Sequence, residues 1–433
     1  MLRTIALVMA LAGALLVGWL GTKTPDPDGG SSAPEAFSTA RAMVDIRRIA
    51  KAPHPTGSAA NAWVRDYLVA RMGQLGLSPQ VRTGMGLQAR VHEGEAWVLG
   101  GRMDNIVGVL PGRDRTRPAL ALMAHYDSVP ASPGAADDAA GVAAALEVVR
   151  AIKARGTPAR DVIVLFTDGE ESGLLGARAF FTQDPLRDRI GLIINLEARG
   201  GGGRANMFQT GPNNGALIRA FAGSAVSPVS NSLAVFLYES MPNDTDFTVS
   251  NEAGVRGLNF AFIGRQFDYH AASSTPEALD RGSVRHLGEQ ALAAAAAFAF
   301  AETLPGRAPD AVYSQTFGDH VLAYPAWGGW IVLALVLALL AAAAVRARRA
   351  QALSWPDIGR GVGAALFLLL AGALLLATAR KLTGVGFGYM EQRALLAQWG
   401  LWETTLAALG AGLLVLVPTL LARGGTAAWL AGA

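Results

Sequence analysis

Four stretches of this 433-residue chain are so apolar that they constrain everything between them: Thr4 to Leu20, Trp327 to Val345, Val362 to Ala379 and Leu406 to Leu421. Each is close to the roughly 17–25 residues that cross a bilayer. In hydrocarbon a backbone must satisfy its own hydrogen bonds, so such runs are helices. Helices buried in a soluble domain are the alternative. It fails for the last three, which follow one another with almost no amphipathic pattern. Trp327, Trp330, Trp355, Trp399 and Trp402 lie at or near their edges, where interfacial aromatics belong. The first run stands behind a lone Arg3 and reads as a cleaved signal peptide or a retained anchor. No small-x-small cleavage site follows Leu20, which favours the anchor. Charged residues make up 16% of the chain, against about 25% in an ordinary soluble domain, and the shortfall belongs largely to these runs.

The expected organisation is an anchor or signal at 1–20, a polar linker at 21–34, an α/β domain at 35–307, a second linker at 308–326 and a membrane domain of about three helices at 327–433. Arg346, Arg348, Arg349 and Arg360 crowd the loop after the first C-terminal span, which makes that loop cytoplasmic. Arg3 puts the N-terminus on the same side and the α/β domain on the other, periplasmic or luminal, side. Arg380, Lys381 and Arg393 count against this orientation, since their loop is then external. Basic and acidic residues are nearly balanced, 37 to 34, and no basic run interleaves with aromatics, so nucleic acid is not the expected partner. There is no cysteine, hence no disulfide, thiolate zinc site or cysteine nucleophile.

Between the membrane segments short apolar runs alternate with helical patterns. Pro118 to His125, Asp161 to Phe166, Gly191 to Leu196 and Val255 to Ile263 are strand candidates; Ala139 to Arg155 and Pro276 to Glu302 are helix candidates. This predicts a mostly parallel, mixed sheet sandwiched by helices. Ligands of such sheets bind beyond the carboxyl ends of strands. The residues found there are His125-Tyr126-Asp127, then Asp137-Asp138 opening a helix, then Asp168-Gly169-Glu170-Glu171, then Asn195-Leu196-Glu197, and late in the domain Tyr269-His270.

Each residue alone has an ordinary explanation. A Glu pair is usually solvated surface, and an Asp before a helix is usually an N-cap. His92, His286 and His320 read as ordinary polar histidines. His54, between Pro53 and Pro55, reads as part of a structural turn. The others coincide at one sheet edge. Imidazole and carboxylate donors without thiolate suit Zn²⁺ or a similar divalent ion. Two histidines and three carboxylates, one of them bridging, can hold two ions that polarise a carbonyl and activate a water. A neighbouring carboxylate is then needed to take the water's proton.

The segments PHPTGSAAN (Pro53 to Asn61), AHYDS (Ala124 to Ser128), GAADDAAGVAAALE (Gly134 to Glu147), FTDGEESGLLGA (Phe166 to Ala177), NLEARGGGG (Asn195 to Gly203), FQTGPN (Phe208 to Asn213), NDTDF (Asn243 to Phe247) and YHAASSTPE (Tyr269 to Glu277) together resemble the zinc aminopeptidase family M28, in particular its membrane-bound endoplasmic-reticulum and vacuolar branch. The resemblance covers about Phe37 to Thr303 and the multi-span tail. It implies a zinc-aminopeptidase, phosphorylase/hydrolase-like fold, two zinc ions per chain and peptide substrates. It implies that His125, Asp137, Glu171, Glu197 and His270 are metal ligands, with Asp137 bridging and the distribution of Glu171 and Glu197 left open. Glu170 is then the general base, Asp127 the carboxylate that fixes the His125 tautomer, and Tyr269 an oxyanion-stabilising group. A cis Asp137–Asp138 peptide is also implied.

Three features depart from the branch. Ala271 and Ser274 replace its usual Thr and Asp, which predicts a lost or shifted partner for His270. Thr248 replaces an Arg, and relatives of this branch are often longer, so the chain is expected to be a shortened version or a piece. The expected activity is that of a membrane-anchored di-zinc aminopeptidase. Two other readings remain: a single-zinc glutaminyl-peptide cyclotransferase, which shares the fold and several motifs, and a non-catalytic receptor or scaffold.

Overall fold

The computed structural model describes residues 9, 12–13, 16–27, 33–92, 94–316, 320–350, 354–386 and 388–421. It divides into two compact units, 1–325 and 326–433. The first contains, in chain order, α1 (Thr39–Ile49), α2 (Ala59–Gln74), β1 (Gln80–His92), β2 (Glu95–Leu110), β3 (Ala119–His125), α3 (Ala139–Arg155), β4 (Val162–Thr167), α4 (Leu175–Gln183), β5 (Ile190–Ala198), β6 (Gly202–Thr210), α5 (Gly215–Ser224), α6 (Ser232–Glu239), α7 (Asp246–Glu252), β7 (Gly257–Gly264), α8 (Arg281–Phe300), β8 (Ala311–Gln315) and β9 (Val321–Pro325).

Seven strands form one sheet in the order β1-β2-β4-β3-β5-β7-β6. The four central strands are parallel, while β2 pairs antiparallel with both β1 and β4, and β6 antiparallel with β7. The central strands are largely apolar because both of their faces are covered. Alternate residues of β3 go to opposite cores. Leu120, Leu122 and Ala124 pack with helices α1, α2, α3 and α8, and Ala119, Ala121 and Met123 pack with α4 and α7. The alanines of α3 let that helix lie close on the sheet, and nearly all of its inner residues are buried.

The four expected strands and the expected helix Ala139–Arg155 are present, with boundaries shifted by a few residues at most; the last helix is shorter, Arg281–Phe300. The long β1–β2 hairpin was not legible. Its outer half is exposed on both faces, so it carries no period-2 apolar pattern. The glycine-rich β6 was hidden for a similar reason. The stretch expected as a linker at 308–326 holds the β8–β9 hairpin, in which Tyr313 is buried.

The second unit is helical: α9 (Gly328–Arg349), α10 (Trp355–Leu382), α11 (Tyr389–Leu396) and α12 (Trp399–Leu421). By length and composition α9 and α10 can cross a membrane, with mean hydropathy 2.5 and 2.4 over their most apolar 18 residues. The third expected span falls within α12. The expected anchor Thr4 to Leu20 lies largely outside the described residues; 16–22 are helical. The tail 422–433 also lies outside them.

Candidate metal centre

Because β3, β4, β5 and β7 run parallel, their carboxyl ends share one edge. The chain steps from β3 to β4 on one side and to β5 on the other, so a crevice opens between β3 and β5. His125 ends β3 and Glu197 lies near the end of β5, on either side of it. Glu170 and Glu171 follow β4 through a turn in which Gly169 has φ +69°, a left-handed conformation that a side chain would strain. His270 follows β7 after a short 3₁₀ turn, Gln266–Asp268.

Asp137 and Asp138 divide two tasks, and their peptide bond is cis. Asp138 is the N-cap of α3, its Oδ1 accepting the Gly141 N–H at 3.0 Å. A Cβ on Gly141 would stand 2.4 Å from that oxygen, so glycine is required for the cap. Asp137 instead turns into the crevice. The cap thus falls to Asp138, and Asp137 faces the cluster of His and carboxylate donors.

Three overlapping donor sets converge, His125/Asp137/Glu197, Asp137/Glu171/His270 and His125/Glu170/Glu171, each with its ligand atoms within 4.8 Å of one another; the first two share Asp137. In the first, His125 Nε2 lies 3.1 Å from Asp137 Oδ1 and 3.8 Å from Glu197 Oε2. In the second, His270 Nε2 lies 3.2 Å from Asp137 Oδ2 and 3.0 Å from Glu171 Oε2. Asp137 thus offers one oxygen to each set. Ligands about 2.0–2.2 Å from a tetrahedral ion stand roughly 3.4 Å apart, and these distances bracket that spacing.

Other features of the site fit a divalent ion. The buried Glu171 Oε1 has no hydrogen-bond partner, and His270 Nε2 sits between two carboxylate oxygens. Among the described residues no Lys or Arg forms an ion pair with Asp137, Glu170, Glu171 or Glu197; the pairs these residues make are with His125 and His270. Without a compensating cation, burial pushes Glu171 up to about 7 and Glu197 up to about 8, and drives Glu170 well above the carboxylate range, with the neighbouring carboxylates adding to the effect. Burial also acts upward on Asp137, but hydrogen bonds and charge from His125 and His270 hold it well below its ordinary value. The same carboxylates outweigh burial at His270, raised to about 9, and at His125, raised well above 6.5. A bound dication inverts this balance, favouring ionised carboxylates and neutral imidazoles.

Asp127 organises the surroundings. His125 Nδ1 is 3.0 Å from the Asp127 carbonyl oxygen and 3.4 Å from its Oδ1, so an Nδ1–H leaves Nε2 free to ligate. The Glu170 N–H donates to Asp127 Oδ1 at 3.1 Å, and the Glu171 N–H to Oδ2 at 3.3 Å. The Thr56 hydroxyl bridges Asp127 Oδ2 and Asp168 Oδ1, at 3.1 Å each. His54 is buried beside this loop: its N–H donates to Ser128 Oγ at 2.9 Å and its Nδ1 contacts the Ala52 carbonyl. That is the structural turn expected of it. His286 is likewise a satisfied core residue, hydrogen-bonded to Ala205 and Ser227.

Two substitutions relative to the branch acquire local roles. Ser274 braces the Asp137 loop, its carbonyl accepting the Ala135 N–H and its Oγ the Ala136 N–H. Thr248 completes a capping box with Thr245 at the start of α7. Sequence reasoning attached no role to Asp246, which is buried against the site. The Thr167 hydroxyl donates to one of its oxygens; the other has no partner, and burial lifts its pKa to about 6. Its signal was its place in the NDTDF segment.

The profile of peptidase family M28 matches residues 105–295, a span that holds every one of these donors. Residues 105–295 form a peptidase family M28 domain. The chain is 35% identical over 241 residues to endoplasmic reticulum metallopeptidase 1 of Mus musculus, an alignment covering 54% of this chain and 27% of that protein. It is 35% identical over 251 residues to a vacuolar membrane protease of Candida albicans, covering 58% and 29%. The chain thus spans under a third of the length of these relatives. A solved aminopeptidase from Aneurinibacillus sp. strain AM-1 is similar in fold at a TM-score of 0.49 and 12% identity, covering 63% of this chain and 98% of its own.

Proposed function

We propose that this chain is a membrane-anchored zinc metallopeptidase that uses two metal ions to remove N-terminal residues from peptides, with the M28 domain on the non-cytoplasmic side of the membrane. One observation carries the two-ion reading: Asp137 presents Oδ1 to the His125/Glu197 set and Oδ2 to the His270/Glu171 set. A single-zinc cyclotransferase would have no use for a second convergent set. The helices α9 and α10 support membrane anchoring, and the arginines Arg346, Arg348 and Arg349 at the end of α9 support the orientation.

His125, Asp137 and Glu197 would hold one ion, and Asp137, Glu171 and His270 the other. When bound, such ions polarise a carbonyl and acidify a water. The remaining chemistry belongs to side chains. Glu170 is within reach of the same cluster, and its backbone is tied to Asp127. Its carboxylate takes the proton of the attacking water and returns it to the nitrogen of the leaving amine. Asp127 acts on His125 and on the Glu170–Glu171 backbone and so positions donors and base together.

Glu170→Gln keeps the shape of the base and removes its ability to accept a proton. The variant is expected to retain its zinc and to lose about 10²–10⁴ in turnover of a leucyl peptide. Undiminished hydrolysis would refute the assignment. Assaying a glutaminyl peptide in parallel separates hydrolysis from cyclisation. A binding activity insensitive to chelators, with no turnover of either peptide, would instead favour the scaffold reading.

A further inference from the structure

Arg199 stands just beyond β5, two residues after Glu197. Its N–H donates to the Phe262 carbonyl at 2.9 Å, which continues the extended path of the strand. Residues two apart on an extended strand share a face, so Arg199 and Glu197 project toward the same side. The half-buried guanidinium has its Cζ 5.3 Å from the centre of the Tyr269 ring, and that ring stacks on His270 at 3.7 Å. The two distances together place the guanidinium within about 9.0 Å of the His270 ring.

Among the described residues no carboxylate or carbonyl oxygen pairs with this cation. Other arginines of the domain are engaged: Arg265 pairs with Asp268 at 2.6 Å, Arg178 with Glu252 at 3.4 Å, and Arg204 donates to Ser227. A guanidinium is always charged and offers a planar fork of donors that fits a carboxylate. Here it is partly withdrawn from water and lies over an aromatic ring, with no anion paired to it among the described residues.

We propose that Arg199 is a specificity residue that receives a substrate carboxylate, and that the M28 domain favours peptides with a free carboxylate one or two residues beyond the scissile bond. This rests on the reading of the site as a peptidase. An extended chain advances about 3.3–3.6 Å per residue, so a carboxylate one or two residues along spans the distance from the donor sets to Arg199. The C-terminus of a di- or tripeptide and an acidic side chain supply the same chemistry. Either one enters a crevice crowded with buried carboxylates, where Arg199 is the cation at hand.

The test uses the full chain in detergent micelles with zinc, and four peptides: Leu-Ala, Leu-Ala-amide, Leu-Glu-amide and Leu-Gln-amide. Both kcat/KM and calorimetric binding to the Glu170→Gln variant are measured. The wild-type protein is expected to prefer an acid over its matched amide by about tenfold or more, in one pair or in both. The Leu-Ala pair reports a terminal carboxylate and the Leu-Glu/Leu-Gln pair a side chain. Arg199→Ala should bring the acid-to-amide ratio close to one, and Arg199→Lys should retain part of it. Equal use of acid and amide by the wild type, or an unchanged ratio in Arg199→Ala, overturns the proposal. Failure to hydrolyse any of the four peptides refutes the peptidase reading, while the binding ratios still decide the role of Arg199.

Discussion

Asp127→Asn is the sharpest perturbation of this site, because it removes one charge and one acceptor without changing volume. Asp127 is buried and its two oxygens serve four groups: His125 Nδ1 and the Glu170 N–H at Oδ1, the Thr56 hydroxyl and the Glu171 N–H at Oδ2. An asparagine keeps one oxygen. The better orientation leaves it at the Oδ1 position, because the new NH₂ at Oδ2 can donate to Thr56, whose hydroxyl is able to accept. The Glu171 N–H is then left facing another donor. Stranding a buried donor costs about 1–3 kcal/mol. His125 keeps the Asp127 carbonyl at 3.0 Å, so its tautomer survives. The loss therefore falls on the set that contains Glu171, and mutations of such supporting groups typically cost about 10–100-fold in metal affinity or activity. Zinc competition against a chromophoric chelator is expected to show one site near wild-type affinity and one weakened by about that factor. Turnover at limiting zinc should fall in parallel. Two sites of unchanged affinity, with turnover within twofold of wild type, would refute the account of how Asp127 positions the Glu170–Glu171 segment.

Chelation should abolish hydrolysis and also lower the midpoint of thermal unfolding, because the buried carboxylates lose their counter-charge; re-addition of zinc should restore both. His286 is buried, and burial lowers its pKa to about 4 from 6.5. The folded state thus resists protonation, so this contribution to stability is complete above pH 6.5 and is lost as pH falls from 6.5 toward 4, by up to about 3 kcal/mol. Comparing denaturant midpoints of wild type and His286→Gln at pH 7.5 and pH 4.5 should show a smaller acid loss in the variant. Glu147→Ala should destabilise the M28 domain by about 3 kcal/mol in urea unfolding, since buried Glu147 accepts from Arg41 at 2.7 Å, Arg150 at 2.7 Å and the Ser38 N–H. A change below 1 kcal/mol would refute that role.

The central strands were readable because a strand covered on both faces has to be apolar along its whole length; the sequences ALALMAH and VIVLFT leave little alternative. The donors were readable because they follow those strands directly, where a parallel sheet gathers its loops. The β1–β2 hairpin was not readable, since half of it lies in water and its pattern is set by main-chain pairing. The Asp137–Asp138 pair was legible as a choice between cap and ligand, and only the start of α3 showed that the cap is Asp138. Ser274 in place of an Asp was expected to cost His270 a partner; that it braces the Asp137 loop instead was visible only in the structure. Arg199 lay within the NLEARGGGG segment but was given no role, because an arginine after a strand usually has an acidic partner and nothing local tells that this one has none among the described residues.

Sequence alone determined the two kinds of environment and the chemistry available between them. Near-spanning apolar runs have to be helices in lipid, and a chain without cysteine has to bind zinc through imidazole and carboxylate. Tertiary structure decided which donors meet. Glu171 joins His270 and Glu197 joins His125 because the strand order β4-β3-β5-β7 sets where each loop emerges along the sheet edge. It also decided that Asp137 divides its oxygens between them, that Asp127 ties His125 to the Glu170–Glu171 backbone, and that Arg199 rests on Tyr269 with no anionic partner among the described residues. Those are distances of a few ångströms between residues far apart in the chain, and only the packed sheet and its register determine them.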